Sequence, residues 1–133
     1  MSANFYKMTG SGNDFVMVDG RETAVADWPA TRIAAICDRR DGVGADGFII
    51  LSLEGAGAAR MSFFNSDGSR APMCGNGALC STRLATALGM TDPAGMTLVT
   101  GAGAFRTRAV GAGNLAELNL PDTTVPKAVS IPT

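Results

Sequence analysis

The sequence predicts an α+β fold, a mostly antiparallel sheet curved around a central helix. Two stretches carry apolar residues at helical spacing, and several short apolar runs are bounded by turn residues. The resulting order, β, β, α, β, β, α, β, β, β, lacks the regular βα alternation of a doubly wound fold. The 133 residues, 46% of them apolar, suffice for one domain with a buried core.

The first two strands are predicted at 5–9 and 14–19, on either side of a polar, glycine-containing turn. A helix over 28–38 follows, with Asp27 as its N-cap and Pro29 in its first turn. The apolar face of this helix repeats at i, i+3 and i+4, at Ile33, Ile36 and Cys37.

A glycine-rich loop at 39–47 separates this helix from the next strands. The continuous apolar run at 48–51 indicates a buried strand, and another strand is predicted at 60–64. The turn at 65–68 ends that strand and contains an Asp-Gly pair, which is typical of tight turns.

The second helix should begin at Gly75 or Asn76 and end near Leu88, where Gly89 provides a stop signal. Its apolar face contains Cys80, Leu84 and Leu88. Three further strands are predicted at 96–100, 104–110 and 115–120.

Gly-Ala-Gly triplets begin at residues 55, 101 and 111. The third, read on to residue 116, matches the letters of a dinucleotide-binding fingerprint. That fingerprint needs a helix to follow, and here a strand is predicted instead. We therefore interpret the triplets as turns, including a hairpin turn at 111–114.

The composition excludes several kinds of partner. With 11 basic and 12 acidic residues, a net charge of -1 and no basic cluster, neither nucleic acid nor an anionic membrane surface is expected to bind. No apolar stretch approaches the ~18 residues of a spanning helix. The N-terminus lacks the basic-then-apolar order of a signal peptide. We expect a cytoplasmic protein.

The cysteines, at positions 37, 74 and 80, are too few and odd in number for a disulfide framework, and histidine is absent. This chain therefore has no Cys-His dyad and no His-based metal site, and no metal is predicted. Cys37 and Cys80 lie in apolar helical stripes and are interpreted as packing residues. Cys80 should lie about 9 Å along the helix axis from Cys74, so it is not expected to face it.

Cys74 directly precedes the second predicted helix. A helix N-terminus presents unpaired backbone N–H groups and the positive end of the dipole, which favour the reactive thiolate. Gly75 and Gly77 place no side chain over the thiol, so a ligand could approach the backbone. A free cysteine is also commonly a small buried hydrophobe, and position alone leaves both interpretations open.

Three carboxamides accompany this thiol in the candidate site. Asn13 and Asn65 each lie in a polar turn beside an apolar strand, and Asn76 is two residues from Cys74. Taken alone, Asn13 and Asn65 are typical turn residues. If the three amides converge on the thiol, they would suit a polar, zwitterionic small molecule.

Four segments stand in the order and spacing of one known family, and the chain resembles diaminopimelate epimerase from Phe5 to about Pro121. The segments are Gly10-Ser11-Gly12-Asn13-Asp14-Phe15-Val16, Asp38-Arg39-Arg40 with Gly42-Val43-Gly44-Ala45-Asp46-Gly47, Phe64-Asn65-Ser66-Asp67-Gly68-Ser69, and Met73-Cys74-Gly75-Asn76-Gly77.

The resemblance implies a cofactor-independent isomerase that interconverts LL- and meso-diaminopimelate, for lysine and peptidoglycan synthesis. It implies a pseudo-symmetric fold of two halves, each supplying one cysteine to opposite faces of the α-carbon, and a homodimer. Cys74 would be one acid/base thiol, and the substrate would be held by Asn13, Asn65, Gly75 and Asn76. Their N–H groups could stabilise carboxylate charge as the carbanion forms.

The chain also departs from the family. The second half, with its own cysteine, is missing, so we expect residues 1–120 to form an N-terminal epimerase domain and 121–133 an extended connector. The isolated chain is expected to be inactive. Leu79 stands where arginine is common, and Gly47 where some members have glutamine, so no role is assigned to Gly47.

Other functions remain open from the sequence. A related two-cysteine racemase or isomerase would share these motifs but act on another substrate. A non-catalytic binding domain could keep the fold, and a reactive cysteine could serve as a redox sensor.

Overall fold

The computed structural model describes residues 4–92, 94–110 and 115–119. Within them the chain forms eight strands, two α-helices and one short 3-10 turn. In chain order these are β1 (Phe5–Gly10), β2 (Asn13–Asp19), the 3-10 turn (Val25–Asp27), α1 (Ala30–Cys37), β3 (Gly47–Gly55), β4 (Ala58–Asn65), β5 (Arg70–Ala71), α2 (Gly75–Ala87), β6 (Met96–Thr100), β7 (Gly103–Val110) and β8 (Leu115–Asn119).

The strands form a single mixed sheet in the order β1-β2-β3-β4-β6-β7-β8, with β5 paired to β4. The β2–β3 and β4–β6 pairs are parallel, and the other pairs are antiparallel. Helix α2 contacts strands from both ends of this order, β1 and β8, because the sheet curls around it. The α+β prediction, a mostly antiparallel sheet curved around a central helix, is confirmed.

The sheet separates two apolar cores, because successive residues of a strand point to opposite faces. In β3, Ile49 and Leu51 point to the α2 face, whereas Phe48 and Ile50 point to the α1 face. Helices cover both faces, which explains why this run is apolar at every position. The α2 core also includes Phe15, Met17, Met61, Ala78, Leu84 and Leu98, and the α1 core includes Val16, Val18, Trp28, Ile33 and Cys37.

The predicted start of the first helix is wrong. The Asp27 carboxylate accepts hydrogen bonds from the Ala24 backbone N–H at 2.9 Å and the Thr23 hydroxyl at 3.0 Å, so it stabilises the 3-10 turn. Pro29 takes the N-cap position in an extended conformation, with φ of -66° and ψ of 159°. Helix α1 therefore begins at Ala30, two residues later than predicted, and ends at Cys37.

The second helix is confirmed at both ends, since α2 starts at Gly75 and Gly89 follows it with a φ of +73°. Strand β5 was not predicted, because two residues cannot show an alternating pattern. The triplets that begin at residues 55 and 101 form turns between paired strands, as predicted. The third triplet, the turn at 111–114 and the connector at 121–133 lie outside the described residues. In the described part of the chain, no helix is long and apolar enough to cross a membrane.

Candidate active site

Cys74 is the residue directly before the first turn of α2, as predicted. Its backbone is extended, with φ of -138° and ψ of 125°, and its carbonyl oxygen accepts the first helical hydrogen bond from the Ala78 N–H at 2.8 Å. The backbone N–H groups of residues 75–77 precede that bond, and such groups have no acceptor within a helix. The thiol is half-buried and packs against the edge of the α2 core.

The two glycines beside Cys74 have different roles. A Cβ added to Gly75 would meet no atom within 4 Å, so this position leaves open space next to the thiol, as expected. Gly77 is buried instead, and an added Cβ would lie 3.1 Å from Ile49 Cδ1. The expectation that Gly77 exposes the backbone to a ligand is therefore wrong, because its missing side chain lets α2 pack closely on β3.

Asn13 and Asn76 are brought together although they are far apart in sequence. Asn76 Nδ2 donates a hydrogen bond to Asn13 Oδ1 at 2.7 Å, which joins the first turn of α2 to the start of β2. Both side chains are partly buried. Two of the three predicted carboxamides thus converge beside Cys74.

Behind Asn13 lies a charged network that the sequence reasoning did not assign. Asn13 Nδ2 donates to Asp46 Oδ2 at 3.1 Å, and the Asp14 backbone N–H donates to the same oxygen at 3.1 Å. In return, the Asp46 N–H donates to Asp14 Oδ1 at 3.0 Å. The parallel register of β2 and β3, with Phe15 opposite Gly47, places these two aspartates side by side.

Two cations neutralise this pair of aspartates. Arg39 donates to both oxygens of Asp14, at 2.8 and 2.7 Å, and to Asp46 Oδ1 at 3.0 Å. Lys7 Nζ lies 3.2 Å from Asp14 Oδ2 and also donates to the Gly44 carbonyl. The hydrogen bonds from Arg39, with a further contribution from Lys7, hold the pKa of Asp14 well below its usual value. The available signal was an aspartate at the start of each of two strands, Asp14 as the second residue of β2 and Asp46 directly before β3, but it becomes informative only once those strands are known to be parallel.

Asn65 ends β4 at the same edge of the sheet, where it pairs with Gly47. Its side chain is exposed and donates to Ser69 Oγ at 3.0 Å, within a turn that Asp67 also stabilises through Ser69. Asn65 is therefore near the start of β3 but bonds within its own turn and not to the Asn13–Asn76 pair.

The remaining cysteines lie in the two cores. Cys37 is 3% exposed and Cys80 is 5% exposed. Burial raises the pKa of both thiols, and at Cys80 the charge of Cys74 adds to the effect. Both positions agree with the packing interpretation. Cys80 also borders a cavity of about 460 Å³ between β1 and α2, together with Gly10, Ser11, Leu79 and Arg83.

The fold is an α+β domain in which a curved mixed sheet wraps around a central helix, with the Cys74 thiol directly before the first turn of that helix. Methylitaconate-delta-isomerase has this fold, with a TM-score of 0.67 over 94% of this chain and 38% of that protein, at 14% identity. So does a structure described as a predicted epimerase from Pseudomonas aeruginosa, with a TM-score of 0.64 over 86% of this chain and 41% of that one, at 20% identity. These identities support a shared fold alone.

The chain belongs to the diaminopimelate epimerase family, whose sequence profile matches residues 5–118. A diaminopimelate epimerase from Gemmatimonas aurantiaca is 47% identical over 111 residues, which are 81% of this chain. The matched region is 40% of that relative, so this chain spans about two fifths of its length.

Proposed function

We propose that the complete protein is an amino-acid epimerase that interconverts LL- and meso-diaminopimelate, with Cys74 as one of two acid/base thiols. The observation that carries this proposal is the position of Cys74 at the start of α2, beside the hydrogen-bonded pair Asn13 and Asn76. The chain's membership of the diaminopimelate epimerase family supports it. A half-buried thiol next to N–H donors suits proton transfer at a carbon that bears a carboxylate.

In one direction of the reaction, the Cys74 thiolate removes the substrate α-proton and becomes a thiol. The electron pair of the C–H bond remains with the substrate and delocalises into the α-carboxylate. A second thiol, supplied from outside this chain, then donates its proton to the opposite face and becomes a thiolate. Two groups are needed, because a single one would return the proton to the face from which it came.

Carboxylate charge grows as the carbanion forms, so donors near the carboxylate stabilise this step most. The donors proposed for this role are the side-chain amides of Asn13, Asn65 and Asn76 and the backbone N–H of Gly75. The first turn of α2 adds the positive end of its dipole.

We also propose a homodimer, which the family resemblance implies, and a cytoplasmic location. All three cysteines are free thiols, and a reducing compartment would keep Cys74 in its working form. No cofactor is part of this proposal, since the two thiols carry both proton transfers.

The test uses protein expressed from the complete open reading frame and LL-diaminopimelate in deuterated buffer. We expect exchange of the α-proton with solvent and formation of the meso isomer. Cys74→Ser should lower kcat by at least ~10²-fold, because a serine hydroxyl is a far weaker acid and base. Cys37→Ala, on the opposite face of the sheet, is the matched control and should keep turnover. Normal turnover by Cys74→Ser would refute the assignment.

A further inference from the structure

The Asp46 carboxylate is held by contacts from three directions. Oδ2 accepts hydrogen bonds from Asn13 Nδ2 and from the Asp14 backbone N–H, both at 3.1 Å, while Oδ1 accepts from Arg39 at 3.0 Å. The Asp46 side chain is exposed, at 41%, and its position follows from the backbone register of β2 and β3. This carboxylate is therefore a fixed acceptor next to Asn13.

A fixed acceptor determines which way the Asn13 amide is turned. An ionised carboxylate only accepts hydrogen bonds, so the group of Asn13 that faces it must be the NH₂. The Asn13 oxygen then points to Asn76, which supplies its own NH₂ at 2.7 Å. Reversing Asn13 would set its oxygen against the carboxylate and its NH₂ against another NH₂. Asp46 thus fixes the orientation of the Asn13 amide, and Asn13 in turn fixes the orientation of the Asn76 amide.

We propose that Asp46 is a positioning residue, and that it gives the site its selectivity for a substrate carboxylate by fixing these two amides. The proposal rests on the function proposed above. Each NH₂ has two N–H bonds. Asn13 uses one of them to bond Asp46, and Asn76 uses one of them to bond Asn13; we call these two successive hydrogen bonds the relay. The second N–H of each amide, together with the N–H groups at the start of α2, forms a set of donors that suits an anionic oxygen.

The charges around Asp46 agree with this role. Two carboxylates close to an anion site would repel a negatively charged ligand, but Arg39 pairs with Asp14 and with Asp46 Oδ1, the oxygen that Asn13 does not contact, and Lys7 pairs with Asp14. The network can therefore orient the amides without adding net negative charge to the site.

The substitution Asp46→Asn tests the proposal. An amide at position 46 can present either an oxygen or an NH₂ to Asn13, so the orientation of Asn13 is no longer fixed, and the ion pair with Arg39 is lost. In protein from the complete open reading frame, kcat/KM for diaminopimelate should fall ~10-fold or more. The selective readout is the ratio of affinities for diaminopimelate and for its α-carboxamide analogue. We expect this ratio to fall in the variant by a similar factor, because a reversed Asn13 presents an acceptor to the carboxylate.

Asp19→Asn is the matched control. Asp19 is also an aspartate paired with an arginine, Arg21 at 2.7 Å, but it lies at the other end of β2. A mere loss of folded protein would lower the binding of both ligands equally, so Asp19→Asn should leave the ratio unchanged. An unchanged ratio in Asp46→Asn, or an equal fall in Asp19→Asn, would overturn the proposal.

A second measurement, without substrate, separates this inference from the proposed function. In the NMR spectrum of the unliganded protein, the Asn13 Nδ2 proton bonded to Asp46 should lie downfield of its partner, and Asp46→Ala should abolish that shift. Identical Asn13 resonances in the two proteins would reject the relay whatever the substrate is. An absence of α-proton exchange in the wild type would instead reject the proposed function.

Discussion

The side-chain amide of Asn76 donates a 2.7 Å hydrogen bond to the amide oxygen of Asn13, across a sequence separation of 63 residues. This bond joins the first turn of the central helix to the first residue of β2. It lies one peptide from the backbone of Gly75 and two from Cys74, so any movement of β2 relative to α2 also changes the surroundings of the thiol.

Removing the acceptor side of this bond should affect both stability and activity. Asn13→Ala leaves the partly buried Asn76 amide without its acceptor, which should cost about 1 kcal/mol of unfolding free energy. Loss of the proposed carboxylate donor should lower kcat/KM by ~10- to 100-fold. Urea denaturation and steady-state kinetics measure the two effects.

Asn65→Ala is a matched comparison for Asn13→Ala. The exposed Asn65 side chain bonds only to Ser69 among the described contacts, so its loss should change stability by no more than ~0.5 kcal/mol. If Asn65 holds substrate as proposed, KM should nevertheless rise. Unchanged kinetics would remove Asn65 from the substrate site and leave it a turn residue.

The ion pair between Arg39 and Asp14 should make stability depend on pH in the acid range. The folded-state pKa of Asp14 is lowered from its usual 3.8, so its ion pair stabilises the fold at higher pH, and this contribution is lost as pH falls below that value. Arg39→Met should lower Tm at about pH 7, and the difference from the wild type should shrink on acidification.

Arg40→Met is the control for the acid prediction, because its guanidinium takes no part in the Asp14 and Asp46 contacts. Its Tm difference from the wild type should be small and independent of pH. A difference for Arg39→Met that stays constant from pH 7 down to about pH 3 would contradict the role given to Asp14.

The three thiols should react at different rates with an alkylating reagent. Cys74 is half-buried, whereas burial raises the pKa of Cys37 and of Cys80 and so keeps both protonated and shielded at neutral pH. Mass spectrometry of native protein treated with iodoacetamide should show one fast modification, at Cys74. That fast phase should disappear in Cys74→Ser, and fast labelling of Cys80 would contradict the packing interpretation.

The sequence predicted those features of the site that are local. Cys74 before a helix, Asn76 beside it and the stop at Gly89 all follow from a few adjacent residues. The partnership of Asp14 with Asp46 could not be predicted, because it depends on a parallel pairing of strands separated by a helix and a loop. Asp27 was misplaced for a local reason, since its carboxylate accepts hydrogen bonds from Thr23 and Ala24 and does not cap the helix that follows.

Gly47 and Gly75 differ in whether the fold itself requires a glycine, because an added Cβ clashes at Gly47 and meets open space at Gly75. A Cβ on Gly47 would lie 2.7 Å from Phe63 Cε1 and 3.0 Å from the Phe64 carbonyl oxygen, so Gly47→Ala must displace a buried ring or the β4 backbone. Such overpacking typically costs about 1–3 kcal/mol, and we expect a matching fall in the urea midpoint.

Gly75→Ala has the opposite expectation. The added Cβ meets no atom within 4 Å, and alanine favours a helix, so the folded state should be as stable as the wild type or slightly more so. The same methyl group occupies the open space next to Cys74, where substrate is proposed to approach the backbone. Activity should therefore fall although stability does not. A Gly75→Ala protein with normal kcat/KM would show that the substrate does not use this face of the α2 N-terminus, and would move the proposed carboxylate site away from it.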